Sequence, residues 1–175
     1  MLRGANVTLI TGKTSLTPPM FVNTIPVISA KDMYEAVTSR SQDMDIIIKA
    51  AAVADYRPAS VSDEKMKKSD QDLSIALERT DDILQYLGTH KPEQQFLCGF
   101  SMETQNMLEN SRKKLKKKHL DMIVANNLKE KGAGFEGDTN IVTMITPDSV
   151  TELELMSKDE VAFRLIDQIL TLRNK

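Results

Sequence analysis
The chain is short of cysteine, of long apolar runs and of charge of one sign, and each shortage closes off a class of protein. Its one cysteine, Cys98, sits in an apolar run, which rules out an internal disulfide and leaves no paired-thiol metal site. A reducing, cytoplasmic setting is expected. No run of about 18 apolar residues occurs, and the opening MLRGANVTLITG has no basic segment leading into a long apolar core. Neither secretion nor a membrane span is expected. A net charge of −2 gives no global basic field for nucleic acid, so any anion site must be built from local lysines. With 41% hydrophobic and 27% charged residues, the composition suits one globular domain, residues 1–175.

What is present is organised around residues 45–68, DIIIKAAAVADYRPASVSDEKMKK. A β-branched run ending in Ala50, Ala51 and Ala52 reads as a buried central strand of a parallel sheet. Its small carboxyl end leaves room for a flat ligand against backbone. Beside that gap stand Asp55, Tyr56, Arg57 and Pro58, then Lys65, Lys67 and Lys68. A carboxylate with several ammonium groups suits a magnesium nucleotide; a strand, a turn and a solvated lysine run would show the same letters.

The remainder alternates strand and helix. Residues 5–11 read as a strand with no strand-loop-helix unit before it, 25–28 as a second, and 31–40 as a helix capped by Ser29. Residues 73–77 read as a modest strand, and Thr80, Asp81 and Asp82 open a helix that Gly88 stops. Residues 95–100, QFLCGF, form the next buried strand, with Phe100 either sandwiching a base or filling the core. A helix from Glu103 to His119 carries SRKKLKKKHL, whose lysines fit a solvated face, a nucleic-acid patch or a phosphate clamp. Lys114 and Lys118 stand four apart and share a face. Residues 121–125 form another strand. Gly132, Gly134 and Gly137 match neither a dinucleotide nor a Walker spacing. A hairpin over 141–155 turns at Pro147 and Asp148. The closing helix, capped by Ser157, stacks Val161, Phe163, Leu165, Ile166, Ile169 and Leu170 on the core. The order predicts an α/β, Rossmann-like three-layer fold with a mostly parallel central sheet and a C-terminal hairpin.

Taken together, AAAVADYRP at 50–58, KMKK at 65–68, CGFSMET at 98–104, DMIVANN at 121–127 and GFEGDTNIVTMI at 134–145 resemble bacterial phosphopantothenate-cysteine ligase. The resemblance implies a dimeric, Rossmann-like enzyme of coenzyme A biosynthesis that uses CTP and a divalent cation such as Mg2+. The carboxylate of 4'-phosphopantothenate is activated as an acyl cytidylate, and L-cysteine then displaces CMP. By position it places cytosine against the backbone of Ala51 and Ala52 and beside Phe100, and gives Asp55 to nucleotide or metal. Lys65 matches the lysine of the first half-reaction, and Lys114 and Lys118 match two triphosphate-contacting lysines. Asp81, Asp82, Ile83 and Leu84 align with a Pro-Asp-Ile-Val nucleotide contact, departing from it at Asp81 and Leu84. The family's glycine-rich turn and Asn-x-Ser-Ser-Gly segment do not appear in the chain, nor does its fused decarboxylase, so no flavin is expected. CTP is favoured over ATP because the family's eukaryotic branch departs from this VADYRP to KMKK pattern.

Two other readings use the same residues. A Rossmann-type oxidoreductase would need a GxGxxG after a strand, which is lacking. A non-enzymatic nucleic-acid module would use the lysine helix and bind with steep salt dependence.

Overall fold
The structure, a computed structural model, describes residues 1–62, 64, 65, 67, 73–103, 105–127 and 137–174. The chain forms two compact units, Met1–Ser39 with Ala52–Ile83, and Arg40–Ala51 with Leu84–Lys175.

In the first unit β1 (Thr8–Thr11) runs parallel to β2 (Asn23–Pro26), which begins before the expected 25–28. Helix α1 (Ala30–Thr38) starts as its sequence demands. The Ser29 hydroxyl accepts the Asp32 N–H at 3.1 Å, and the Asp32 carboxylate accepts the Ser29 N–H at 2.8 Å. The bond from the Ser29 backbone is the main reason the Asp32 carboxyl lies below its usual range. That cap contributes at neutral pH and weakens as pH falls through the lowered value.

Antiparallel β4 (Tyr56–Pro58) and β5 (Leu77–Arg79) make a separate ribbon. The strand expected at 73–77 is therefore displaced, and begins only at Leu77. Cross-strand chemistry sets this register, with Arg57 paired to Glu78 at 2.7 Å and the Arg79 guanidinium 6.0 Å from the Tyr56 ring centre. Pro58, which has no N–H to give, faces Leu77 and ends the ladder, leaving one further bond from Ala59 N–H to the Ala76 carbonyl.

The second unit is built on β3 (Ile46–Lys49), β6 (Phe96–Glu103), β7 (Met122–Asn127), β9 (Val142–Ile145) and β10 (Val150–Glu152). Their order in the sheet is β10-β9-β7-β6-β3. The β3, β6 and β7 strands are mutually parallel, and β9 with β10 forms the expected hairpin. Two short strands, β8 (Thr139–Asn140) and β11 (Met156–Ser157), pair beside it. Strand alternation sends Phe96, Cys98, Met122, Val124, Val142 and Met144 to one face, where Val161, Leu165 and Ile169 of α4 (Lys158–Arg173) cover them. On the other face Gly99 lies against Leu84 of α2 (Ile83–His90), and Ser101 bonds Ser111 of α3 (Met107–Lys117) at 3.0 Å. These are the three layers of the expected Rossmann-like α/β fold. Burial pushes the Cys98 thiol up to about 12, so it behaves as an inert core residue.

Several expected boundaries move. Strand β6 continues to Glu103 because it pairs residue by residue with β7 as far as Asn127, so the lysine helix starts at Met107 and not at Glu103. Gly88 does not stop α2. It lies inside that helix, where a side chain would collide with the backbone of Lys118. On α4 the positions 161, 165 and 169 repeat every four residues and own the buried stripe, leaving Phe163 and Leu170 44% and 38% exposed. Strand β3 pairs on one side only within this sheet, so Ile48 is partly exposed where a central strand was expected. Lys68, Gly132 and Gly134 lie outside the described residues.

Candidate functional site
Parallel sheets hold ligands at the carboxyl ends of their strands, and in the second unit those ends are Lys49, Glu103 and Asn127. From β3 the Lys49 ammonium turns back to donate to the Ala51 carbonyl at 2.8 Å. Sequence reasoning missed that contact, although Lys49 adjoins the alanine run. Ala51 is exposed. Phe100 is partly buried and packs on the α4-side cluster, and Leu84 is buried against Gly99 on the opposite face. Both side chains are committed to the core, so what Leu84 and Phe100 offer a ligand is chiefly backbone.

Of the two lysines expected on one helix face, Lys114 lies in α3 and Lys118 is the C-cap residue just past its end at Lys117. Lys118 follows Lys114 by one turn, its N–H donating to the Lys114 carbonyl at 2.9 Å. The Lys114 ammonium lies 2.7 Å from a Glu103 carboxylate oxygen. The other oxygen of Glu103 accepts the Asn110 side-chain amide at 3.2 Å. Strand periodicity could have found Glu103, because Gly99, Ser101 and Glu103 alternate onto the face that α3 covers. The misplaced helix start concealed it. Elsewhere on the helix Lys113 pairs with Glu109 four residues back, both well exposed, and the bond to Lys113 lowers the Glu109 carboxyl. One helix thus carries an outer, solvated pair and an inner pair at the strand end.

The first unit holds the remaining candidates. Asp55 is exposed, and its carbonyl accepts the Thr80 N–H at 3.0 Å while the Thr80 hydroxyl donates to the Ala54 carbonyl at 2.6 Å. Thr80 therefore ties the ribbon together in place of the helix-capping role expected of it. This tie brings the backbone of Asp55 beside the segment that leads into Asp81. Asp81, Asp82 and Ala52 are exposed, and Ile83 is buried. Lys65 and Lys67 are exposed, on the segment joining β4 to β5.

Among the described residues no three His, Cys, Asp or Glu side chains gather as a metal cage. Mg2+ asks for less, since it is held by one or two carboxylates with substrate phosphates and water, and exposed Asp55 fits that demand. A recess of about 430 Å³ in the second unit, lined by Phe96, Asp121, Thr146, Pro147 and Arg173 among others, lies at the amino ends of β6 and β7. It is the edge opposite to the one where such sheets bind ligands. No described helix is long and apolar enough to cross a membrane.

The chain is an α/β protein whose central parallel strands bring lysine, glutamate and asparagine to one edge. Residues 1–172 match the model of the DNA/pantothenate metabolism flavoprotein C-terminal domain, and the chain belongs to that family. Over 171 residues it is 50% identical to the coenzyme A biosynthesis bifunctional protein CoaBC of Bacillus subtilis, covering 97% of this chain and 42% of that protein. It is 44% identical over 171 residues to a cysteine/cysteine sulfinic acid decarboxylase of an unknown prokaryote, covering 97% of this chain and 48% of that protein. The chain thus spans less than half the length of these relatives. The crystal structure of the C-terminal domain of a CoaBC superposes with a TM-score of 0.81 at 45% identity, covering 99% of this chain and 80% of that one.

Proposed function
We propose that this chain carries the ligase chemistry of coenzyme A biosynthesis: CTP-dependent joining of 4'-phosphopantothenate to L-cysteine, giving 4'-phosphopantothenoylcysteine, CMP and pyrophosphate. The observation that carries the reading is the 50% identity, across nearly the whole chain, to a coenzyme A biosynthesis protein. Lys114 in α3 and Lys118 at its C-cap, one turn apart, are in keeping with it, as two ammonium groups that a triphosphate could engage.

In the first half-reaction a carboxylate oxygen of 4'-phosphopantothenate attacks the α-phosphorus of CTP, and the bond to the β-phosphate oxygen breaks to release pyrophosphate. In the second the cysteine amine attacks the acyl carbon, loses a proton and expels CMP. Backbone groups of Ala51, Ala52, Asp81, Asp82, Ile83, Leu84 and Phe100 hold base and ribose. Lys114 and Lys118 hold the β- and γ-phosphates, and Lys65 stabilises charge on the departing pyrophosphate. Asp55 would hold Mg2+, which supplies charge neutralisation between phosphates. The reading includes a cytoplasmic homodimer and no flavin. Tyr56 and Leu77, 51% and 59% exposed on the β4-β5 ribbon, are among the exposed apolar side chains that a second copy would cover.

A cytosine held by backbone donors and acceptors is read at its hydrogen-bonding edge, so Mg-CTP should bind more tightly than Mg-UTP. Calorimetric titration of both nucleotides checks this, and equal affinities would remove the proposed base site.

A further inference from the structure
We infer that Glu103 is a positioning residue for Lys114, holding its ammonium at the strand end so that it meets a polyphosphate already aimed. This rests on the proposed nucleotide site. The Glu103 side chain is 11% exposed, whereas that of Lys114 is 46% exposed. The carboxylate is therefore the fixed member and the lysine the member that can reach solvent or a ligand. Both carboxylate oxygens are occupied, one by Lys114 at 2.7 Å and one by the Asn110 amide at 3.2 Å, and these two donors stand one helical turn apart. The arrangement resembles the lysine-glutamate pair that aims an ammonium at phosphates in other phosphoryl-transfer enzymes.

The alternative role for a carboxylate in that place is repulsion of the incoming phosphates. The geometry favours aiming. A lysine has a long, rotamer-rich side chain, and restricting it beforehand removes an ordering cost on ligand binding. Lys114 carries three ammonium protons, so it can keep its bond to Glu103 while donating to a phosphate oxygen.

The test is titration of the 175-residue chain with Mg-CTP and with CMP. Glu103→Gln is expected to weaken CTP by roughly three- to tenfold, the effect of losing one prearranged rotamer-rich side chain, and to leave CMP within about twofold. CMP affinity and the thermal midpoint report that the variant is folded. Should Glu103→Gln fold poorly, Glu103→Asp retains the charge but withdraws it by one methylene, and is expected to weaken CTP in the same sense.

The decisive comparison is the double variant. If Glu103 acts through Lys114, Glu103→Gln with Lys114→Gln binds CTP as Lys114→Gln alone does. Additive losses, or an Glu103→Gln chain that binds CTP as tightly as or more tightly than the native one, would overturn the inference while leaving the nucleotide site standing. A Lys114→Gln chain with unchanged CTP affinity, or one that loses no more than the outer-face variant Lys113→Gln, would overturn both.

Discussion

In a protein that includes the family's Asn-x-Ser-Ser-Gly segment, replacing Lys65 with glutamine is expected to lower acyl-cytidylate formation by roughly 10² to 10³, the range for losing one electrostatic donor to a transition state, while CTP affinity stays within a few-fold. The reason is timing. When a carboxylate attacks the α-phosphorus, charge accumulates on the departing pyrophosphate, so a positioned ammonium is worth more in the transition state than in the bound complex. Lys65 is exposed between β4 and β5, whereas Lys114 lies in α3 and Lys118 caps the end of that helix. The measurement is pyrophosphate release from CTP and 4'-phosphopantothenate with cysteine omitted, which isolates the first half-reaction. Release at the native rate would take Lys65 out of the chemistry.

The second large effect is structural. A Cβ added at Gly88 would stand 1.8 Å from the Lys118 carbonyl oxygen and 2.8 Å from its carbonyl carbon. Two tendencies oppose each other in Gly88→Ala, since alanine is better than glycine inside a helix by about 1 kcal/mol, while forcing packed backbones apart costs typically 1–3 kcal/mol or more. The obstacle is backbone, which cannot swing aside as a side-chain tip would. Packing should prevail, with a net destabilisation of about 1–2 kcal/mol, read as a lower urea midpoint at unchanged slope. Because the atom displaced belongs to Lys118, affinity for CTP should fall further than affinity for CMP. An unchanged or raised midpoint would mean that α2 and the end of α3 separate at little cost.

Gly88 also shows where reading the sequence stops. A glycine near a helix end has the same letters whether it terminates the helix or admits a neighbour, and only the tertiary contact with Lys118, thirty residues away, decides. Local chemistry was legible. Ser29 announces the cap of α1, Ser157 announces α4, and Pro147 with Asp148 announces the hairpin turn, because each acts within a few residues. The parallel core was legible too, from short β-branched runs alternating with helices. Pairing partners were not. Strand β5 starts at Leu77 because Glu78 finds Arg57, and β6 persists to Glu103 because β7 offers a partner that far. The same gap shaped the site. Spacing set Lys114 and Lys118 one helical turn apart, yet the carboxylate that pairs with Lys114 was hidden behind a helix start set four residues too early.

The ribbon of β4 and β5 has a consequence for kinetics. Two paired strands of three residues are marginal by themselves, and this pair leaves Tyr56 and Leu77 uncovered. Lys65 lies on the segment whose two ends are those strands. If a second copy supplies the missing cover, the rate contribution of Lys65 becomes a property of subunit concentration. Dilution would then act as an inhibitor that occupies no site: turnover per subunit would fall as the ribbon lost its cover, while Lys114 and Lys118, seated on the sheet of a single chain, went on binding nucleotide.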